Sequence, residues 1–196
     1  MKLPCLALCL YLAAVTNSAF ADTWNLPATL GPSDITISFE VDSTWHTVHG
    51  KTTSTQGKAW LSNPKDFKSV QADISVPVLT FETANSRRDK RLREVMAADE
   101  FSNVKFKLSK ATGICSPDKV VTEIPCAFKI FGDLTIRGKT KSIESKANIE
   151  KINNDFIISG SFLTDWADYG VEDPSILIAK LEPTVSITYK IILRSK

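Results

Sequence analysis

Apolar and polar side chains alternate along most of this chain, and the alternation predicts β-strands. A period of two is typical of a strand that buries one face and exposes the other. The pattern recurs in seven segments, at 35–41, 68–81, 104–110, 127–138, 142–152, 155–163 and 183–193. With a shorter segment at 56–62, this makes about eight strands with short connections and no alternating helices. The sequence therefore predicts an all-β fold, an antiparallel sandwich or barrel.

Two residues predict irregular points within these strands. Pro77 has no amide hydrogen to donate to a neighbouring strand, so it marks an edge or a bulge. Gly132 lies within the 127–138 segment, and a glycine inside a strand pattern predicts a β-bulge that bends the sheet.

One segment, SRRDKRLREVM at 86–96, has the period of a helix instead. Ser86 and Asp89 form an S-x-x-D pattern, an acidic variant of the capping box, which predicts Ser86 as the N-cap. At 100 degrees per residue, Leu92, Val95 and Met96 fall in one arc. We therefore expect this short helix to pack against the strands through that arc.

The charged side chains of the helix divide between its two faces. Arg88 lies inside the apolar arc and Asp89 at its edge, and a buried guanidinium is costly unless it is paired. The two residues are interpreted either as an internal ion pair or as a site for an anionic head group. Arg87, Lys90 and Arg91 point away, as a solvated face that could favour approach to an anionic membrane surface.

The first residues of the chain predict a targeting signal, whereas the overall charge says little about partners. Lys2, an apolar run at 3–15 and AFA at 19–21 predict a secretory signal peptide at 1–21, followed by one domain at 22–196. A retained anchor is the alternative. The formal net charge is only +2, so the whole chain gives no indication of a nucleic-acid partner.

The cysteines fit export. Cys5 and Cys9 belong to the predicted signal, and Cys115 and Cys126 remain as an even pair. Because no C-x-x-C or Cys/His cluster competes for them, we expect one disulfide between these two residues.

Catalytic and metal-binding patterns are weak throughout the chain. His46 and His49 would point to opposite faces of a strand and could not chelate one ion. No nucleophile elbow, HExxH motif or phosphate-binding loop occurs. The acidic segment 165–174 lacks the ligand spacing of an EF-hand and is interpreted as an ordered turn packed by Trp166 and Tyr169. Phenylalanine, isoleucine and valine dominate the strand faces, and a barrel of about eight strands packs them solid or leaves room for one ligand.

Three segments resemble the YceI-like family of exported, lipocalin-like proteins, which are described as polyisoprenoid-binding. Residues 131–144, FGDLTIRGKTKSIE, are similar to the family's G-x-L-T-I-x-G-x-T strand pair. Residues 83–106 resemble its T…R-D-x-x-L…F-x-x-x-x-F segment, and residues 168–175, DYGVEDPS, resemble its D-Y-G-V-x-D-P loop. The segments occur in the family's order.

The resemblance implies an antiparallel, lipocalin-like β-barrel with an apolar lumen that the helix closes on one side. The implied ligand is an amphiphile with an isoprenoid tail, such as a quinone or a polyprenyl lipid, bound without a cofactor, a metal or catalysis. Its head group would meet Arg88 or Asp89. The residues expected to line the lumen are Phe39, Phe81, Leu92, Met96, Phe106, Phe128, Phe162, Trp166 and Tyr169.

Two other functions stay open on the sequence, an enzyme acting on a lipid-like substrate in the lumen and a solid-cored stress or interaction protein. The expected location is periplasmic or secreted. Transient contact with a membrane surface and a homodimer are compatible with the sequence, which derives neither.

Overall fold

The computed structural model describes residues 24–120, 125–175 and 180–195. The predicted signal peptide at 1–21 lies outside these residues. None of the helices in the described part of the chain has the length and apolar character of a membrane span.

Within the described residues, eleven strands form one sheet in which every neighbouring pair is antiparallel. They are Ala28–Leu30 (β1), Ile35–Ser43 (β2), Thr47–Thr52 (β3), Gln56–Leu61 (β4), Val70–Pro77 (β5), Phe81–Glu82 (β6), Asn103–Thr112 (β7), Cys126–Ile136 (β8), Lys139–Ile152 (β9), Asp155–Asp165 (β10) and Leu181–Leu193 (β11). Their order is β1-β4-β5-β7-β8-β9-β10-β11-β2-β3-β6. The sheet curls into a lipocalin-like half-barrel, so the predicted fold class is confirmed.

The strand count exceeds the predicted number of about eight for a physical reason. β1 and β6 have three and two residues, too few to show a period of two. β3 reads TVHGKT, in which polar residues and a glycine hide the alternation.

The predicted helix is present, but its first residue differs from the prediction. The helix (α1) runs Ser86–Val95, and Asn85 is the N-cap, with its side chain accepting hydrogen bonds from the amides of Arg87 and Arg88. Asparagine caps as well as serine does, so the cap lies one residue earlier than the S-x-x-D pattern suggests. The apolar arc is correct, since Val95 and Met96 are buried against the sheet.

The irregular point predicted at Gly132 in β8 lies instead on the neighbouring strand β7. The register shifts in β7, between Leu108 and Lys110, whereas β8 stays regular through Gly132. Ile130 and Leu134 are an even number of residues apart, so they face the same side of a regular strand. No bulge is therefore needed in β8. Pro77 ends β5, where a single 3-10 turn at Val78–Thr80 begins.

The register defines two ends of the sheet. Ile35 pairs with Ile191 at one end, which we call the closed end, and Ser43 pairs with Leu181 at the other, which we call the mouth end. Two groups of buried side chains occupy these regions. The closed-end cluster includes Trp24, Leu30, Ile35, Phe128, Ile149, Phe156 and Leu193. The helix-side cluster comprises Val78, Val95, Met96, Ala98, Leu134, Tyr169 and Val171.

The predicted disulfide between Cys115 and Cys126 is confirmed. It ties the β7–β8 connection to the first residue of β8, and both cysteines pack with the closed-end cluster. The bridge therefore holds a long connection against the end of the sheet where the largest apolar side chains meet.

Replacing both cysteines with alanine should lower the free energy of unfolding by about 2–3 kcal/mol, because the unfolded chain loses a cross-link. Urea denaturation measures the loss, and reduction of the parent protein should reproduce it. Thiol labelling of the denatured, non-reduced mature protein should find no free cysteine. Two reactive thiols would contradict the bridge.

Asp34 at the closed end predicts a loss of stability in acid. One oxygen accepts from the Gly31 amide at 2.9 Å and the other from Arg194 Nε at 2.7 Å. The Gly31 hydrogen bond, with help from Arg194, holds the pKa of Asp34 below its ordinary value, although burial opposes them. The unfolded carboxyl therefore binds its proton at a higher pH than the folded one, and the stabilisation is lost as pH falls through the folded-state pKa.

Asp34→Asn should cost about 1 kcal/mol at neutral pH, the typical value of a lost hydrogen bond. The difference from the parent protein should shrink below about pH 4, where the parent carboxyl also becomes protonated. Urea midpoints across this pH range measure it, and a pH-independent difference would show that the carboxylate charge is not responsible.

Candidate functional site

The curled sheet encloses a cavity of about 730 Å³. Alternate residues of the strands point into it, as Ile35, Ile37, Phe39 and Val41 do along β2. Many of these side chains are only half-buried although they face inward. The inward face of the sheet is therefore not packed solid, and an apolar space remains inside it.

Eight of the nine residues predicted for the lumen line this cavity. They are Phe39, Phe81, Leu92, Met96, Phe106, Phe128, Phe162 and Trp166. Tyr169 lies outside the lining, in the helix-side cluster, where its side chain is 1% exposed. Thr164 Oγ1 donates to its hydroxyl at 3.3 Å, and burial raises its pKa. Tyr169 thus supports the wall near the helix and does not face the cavity.

Glycines on neighbouring strands keep two of the large rings against the wall. Phe39 pairs directly with Gly50 across β2 and β3, and Gly160 pairs with Tyr189 across β10 and β11. A Cβ at either glycine would overlap the ring beside it. The missing side chains therefore let the rings lie over the backbone, which leaves the middle of the cavity open.

One polar pair interrupts the apolar wall. The Tyr189 hydroxyl lies 2.9 Å from Ser145 Oγ, and Ser145 also donates to the carbonyl of Ser161 at 2.9 Å. Burial raises the pKa of Tyr189, so the phenol stays neutral. Neither residue of this pair is among the predicted site residues. Ser145 carried a detectable signal, because it is a polar residue at an inward position of β9, between Ile143 and Ala147.

The cavity opens between the helix and one hairpin turn. Among the described lining residues, four are exposed: His46 in the β2–β3 turn, and Asn85, Arg87 and Arg91 at and after the start of α1. At the opposite end, Trp24 and Phe156 meet edge to face with ring centroids 4.8 Å apart. The cavity therefore has an apolar base and a polar mouth.

Thr83 connects the two residues predicted as a pair. Its hydroxyl accepts from Arg88 Nε at 2.8 Å and its carbonyl accepts from Arg88 Nη2. Asp89 Oδ1 accepts from the Thr83 amide at 2.8 Å and from the Thr83 hydroxyl. No Arg88–Asp89 ion pair forms among the residues that the structure describes. The predicted direct pair is thus replaced by a shared partner, a buried threonine just before the helix.

The two residues also differ in what they face. Arg88 lines the cavity and Asp89 does not. Asp89 is engaged by Thr83, whereas Arg88 Nη1 has no hydrogen-bond partner among the described residues. Of the two head-group candidates, only the arginine reaches the cavity.

Arg87 and Arg91, which were expected to point away from the protein, line the mouth instead. Their backbone positions lie within about 100 degrees of Arg88 on the helix. Long side chains can then bend toward an opening while keeping the guanidinium in water. Arg91 also lies 3.6 Å from Glu94. Lys90 is exposed and outside the lining, as expected.

The described residues contain no group of three or more His, Cys, Asp or Glu side chains that could hold a metal ion. His46 lies at the mouth and His49 faces outward, where its Nδ1 is 3.0 Å from Glu40. The geometry of this site suits the enclosure of an apolar molecule with a polar end at the mouth.

Comparison with known proteins gives consistent similarities in sequence and fold. The model of the YceI-like domain matches residues 29–193. BcnA of Burkholderia cenocepacia has a TM-score of 0.67 at 13% identity, over 83% of this chain and 98% of that chain. A polyisoprenoid binding domain from Saccharophagus degradans, implicated in plant cell wall breakdown, has a TM-score of 0.68 at 11% identity, over 85% and 97%. The YCEI protein of Campylobacter jejuni has a TM-score of 0.59 at 18% identity, over 76% and 85%. No curated protein matches the sequence.

Thr83→Val should lower the free energy of unfolding by about 1.5–3 kcal/mol, because it removes a buried hydroxyl bonded to two charged groups. Arg88→Ala should cost less, since Asp89 keeps both Thr83 donors. Urea denaturation of the two variants shows which of them loses more unfolding free energy. A larger loss in Arg88→Ala would mean that the guanidinium itself neutralises Asp89, as a direct pair would.

Gly50→Ala should displace the Phe39 ring toward the cavity, because the new Cβ takes the space that the ring occupies. A crystal structure of the variant would show a smaller cavity, and binding of an apolar fluorescent dye should weaken. Lys51→Ala, at the next residue, which is exposed, is the matched control. Unchanged ring position and dye binding in Gly50→Ala would contradict the role given to the glycine.

Proposed function

This chain belongs to the YceI-like domain family, and we propose that it binds an amphiphilic lipid with an isoprenoid-type tail. The tail occupies the apolar cavity and the polar head group stays at the mouth. The observation that carries the proposal is the cavity itself, about 730 Å³ of space bordered by inward-facing apolar side chains and open at one end. The Saccharophagus degradans neighbour is described as a polyisoprenoid binding domain, which supports the same class of ligand here.

Burial of a hydrocarbon tail supplies the affinity in this account. Each methylene transferred from water to an apolar site contributes about 0.8 kcal/mol. The rings of Phe39, Phe106, Phe128 and Phe162 and the aliphatic side chains around them offer such a site without hydrogen-bond requirements. A branched, flexible tail suits a wall of uneven side chains, because dispersion contacts need no fixed direction.

Arg88 is the residue that we assign to the head group. Thr83 holds its Nε and Nη2, so the guanidinium is already oriented at the cavity wall. Its Nη1 is then left to donate to a quinone carbonyl or a phosphate oxygen, and a preorganised donor loses less entropy on binding. Asp89 acts indirectly, by fixing the threonine that holds the arginine.

Location and the absence of catalysis complete the proposal. The disulfide supports an oxidising compartment, and the residues at 1–21 have the pattern of a secretory signal, so we place the protein in the periplasm or outside the cell. The space in the middle of the sheet argues against the solid-cored alternative. The predominance of apolar lining favours binding and transport or storage of a lipid over an enzymatic reaction.

A pair of adjacent residues on β11 tests the proposal. Ile187 points into the cavity and Thr188 is exposed on the other face. Ile187→Trp fills part of the lumen, whereas Thr188→Trp adds the same side chain to the outside. Native mass spectrometry of gently purified parent protein should find one lipid per chain. Loading should be lost in Ile187→Trp and kept in Thr188→Trp.

Equal loading in the two variants, both folded by circular dichroism, would show that the bound lipid is not in the lumen. Parent protein that is free of lipid and fails to bind farnesol or a short-chain quinone added to it would contradict the function. Turnover of an added lipid, abolished in Ile187→Trp, would favour the enzymatic alternative.

A further inference from the structure

The turn between β2 and β3 presents an exposed tryptophan beside the mouth. Trp45 is 66% exposed and directly precedes His46, which lines the opening. Tryptophan usually buries most of its surface in a soluble protein. An exposed indole at the entrance of an apolar cavity therefore indicates an interaction site.

The turn that carries Trp45 is held in place by several hydrogen bonds. The Ser43 amide donates to the His46 carbonyl at 3.1 Å, and the Thr44 amide donates to the Lys180 carbonyl at 3.0 Å. The Lys180 amide in turn donates to Thr44 Oγ1 at 3.1 Å. These bonds fix the backbone on both sides of the indole, so Trp45 is displayed on a braced turn.

The helix at the mouth is cationic. Arg87 and Arg91 line the opening, and Lys90 is exposed between them on α1. Glu94 offsets part of this charge through Arg91. Arg87 and Lys90 have no ion-pair partner within the residues described. The mouth thus combines an exposed indole on the β2–β3 turn with exposed cations on α1.

We propose that this mouth docks on the surface of a membrane that contains anionic lipids. The docking face consists of Trp45, Arg87, Lys90 and Arg91. Indole rings settle at the level of lipid head groups, and lysine and arginine are attracted to anionic lipids over about a Debye length. Both features lie at the cavity's opening, so a docked molecule would present its cavity to the lipid layer. The proposal goes beyond lipid binding, because it concerns where the protein sits when the cavity is loaded or emptied.

A lipid surface fits this face better than a protein or a nucleic acid does. A protein partner of ordinary size buries about 800 Å² on each side, usually around a continuous apolar centre. Here the centre of the face is an opening, and the apolar contribution is a single exposed ring. The whole chain has a net charge of only +2, so attraction depends on the local cations.

Vesicle sedimentation tests the docking face. The parent protein is mixed with phosphatidylcholine vesicles, with and without phosphatidylglycerol, at low and high salt. We expect binding to the anionic vesicles only, and loss of binding at high salt. Arg87→Gln, Lys90→Gln and Arg91→Gln combined should lower the partition coefficient about a hundredfold, since each of the three cations contributes roughly fivefold near such a surface. Trp45→Ala should lower it several-fold.

Two control variants change the same properties elsewhere. Lys105→Gln, Lys107→Gln and Lys110→Gln combined remove the same charge from exposed positions of β7, and Ile152→Ala removes an exposed apolar side chain at the closed end. Both controls should bind as the parent does, within about twofold, because the changed side chains lie outside the docking face and the attraction acts only near the membrane surface. Thermal midpoints confirm that every variant is folded.

Three outcomes would overturn the proposal. The parent protein fails to sediment with anionic vesicles, or the β7 variant loses as much binding as the helix variant, which would show an effect of net charge alone. In the third, soluble glycerol phosphate releases the protein from the vesicles at low millimolar concentration, which would show capture of single head groups without docking on a surface.

Discussion

The apolar inward face of a curled antiparallel sheet is the constraint on which the rest of this molecule depends. The eleven described strands place alternate side chains on the same concave side. These mostly apolar side chains do not fill the space between them, and a cavity of about 730 Å³ remains. The two ends of the cavity differ in how they are covered. Trp24 and Phe156 close one end with aromatic packing, and a short helix with buried Val95 and Met96 covers part of the other.

The helix also converts the remaining opening into a polar entrance. Its apolar residues complete the wall, while the exposed Arg87 and Arg91 keep their charges at the mouth. Thr83 couples the chain before the helix to both Arg88 and Asp89. A single buried hydroxyl therefore fixes the position of the helix and the orientation of the arginine at the cavity. Stability of the entrance and its chemistry rest on the same contacts.

Much of the fold was predictable because its determinants are local. The alternation at 35–41 predicts β2, and eight of the nine predicted lumen residues face the cavity. The cysteine pair follows from the even count that remains after the predicted signal peptide, and the apolar arc of α1 follows from helical spacing. Family resemblance supplied the barrel form, which alternation alone leaves open between a sandwich and a barrel.

The failures concern side chains whose environment is set by distant parts of the chain. Tyr169 has the large aromatic side chain expected of a lumen residue, but it packs behind the cavity wall in the helix-side cluster. The helical wheel gives Cβ directions, whereas the guanidinium groups of Arg87 and Arg91 lie several bonds beyond and bend toward the mouth. Thr83 precedes the helix, so the helical wheel does not include it, although it is the first residue of the family segment at 83–106. The pairing of Ser145 with Tyr189 joins residues on β9 and β11, which are not neighbours in the sheet.

The central claim is that the cavity accepts one hydrocarbon tail along its length. Binding constants for isoprenoid alcohols of increasing chain length test it most directly. The free energy of binding should become more favourable with each added unit, in proportion to the methylene and methyl groups buried, at about 0.8 kcal/mol per CH₂ at most. It should then level off once the tail fills the cavity and further units remain in water. An affinity that is independent of tail length from the shortest alcohol onward would contradict the account.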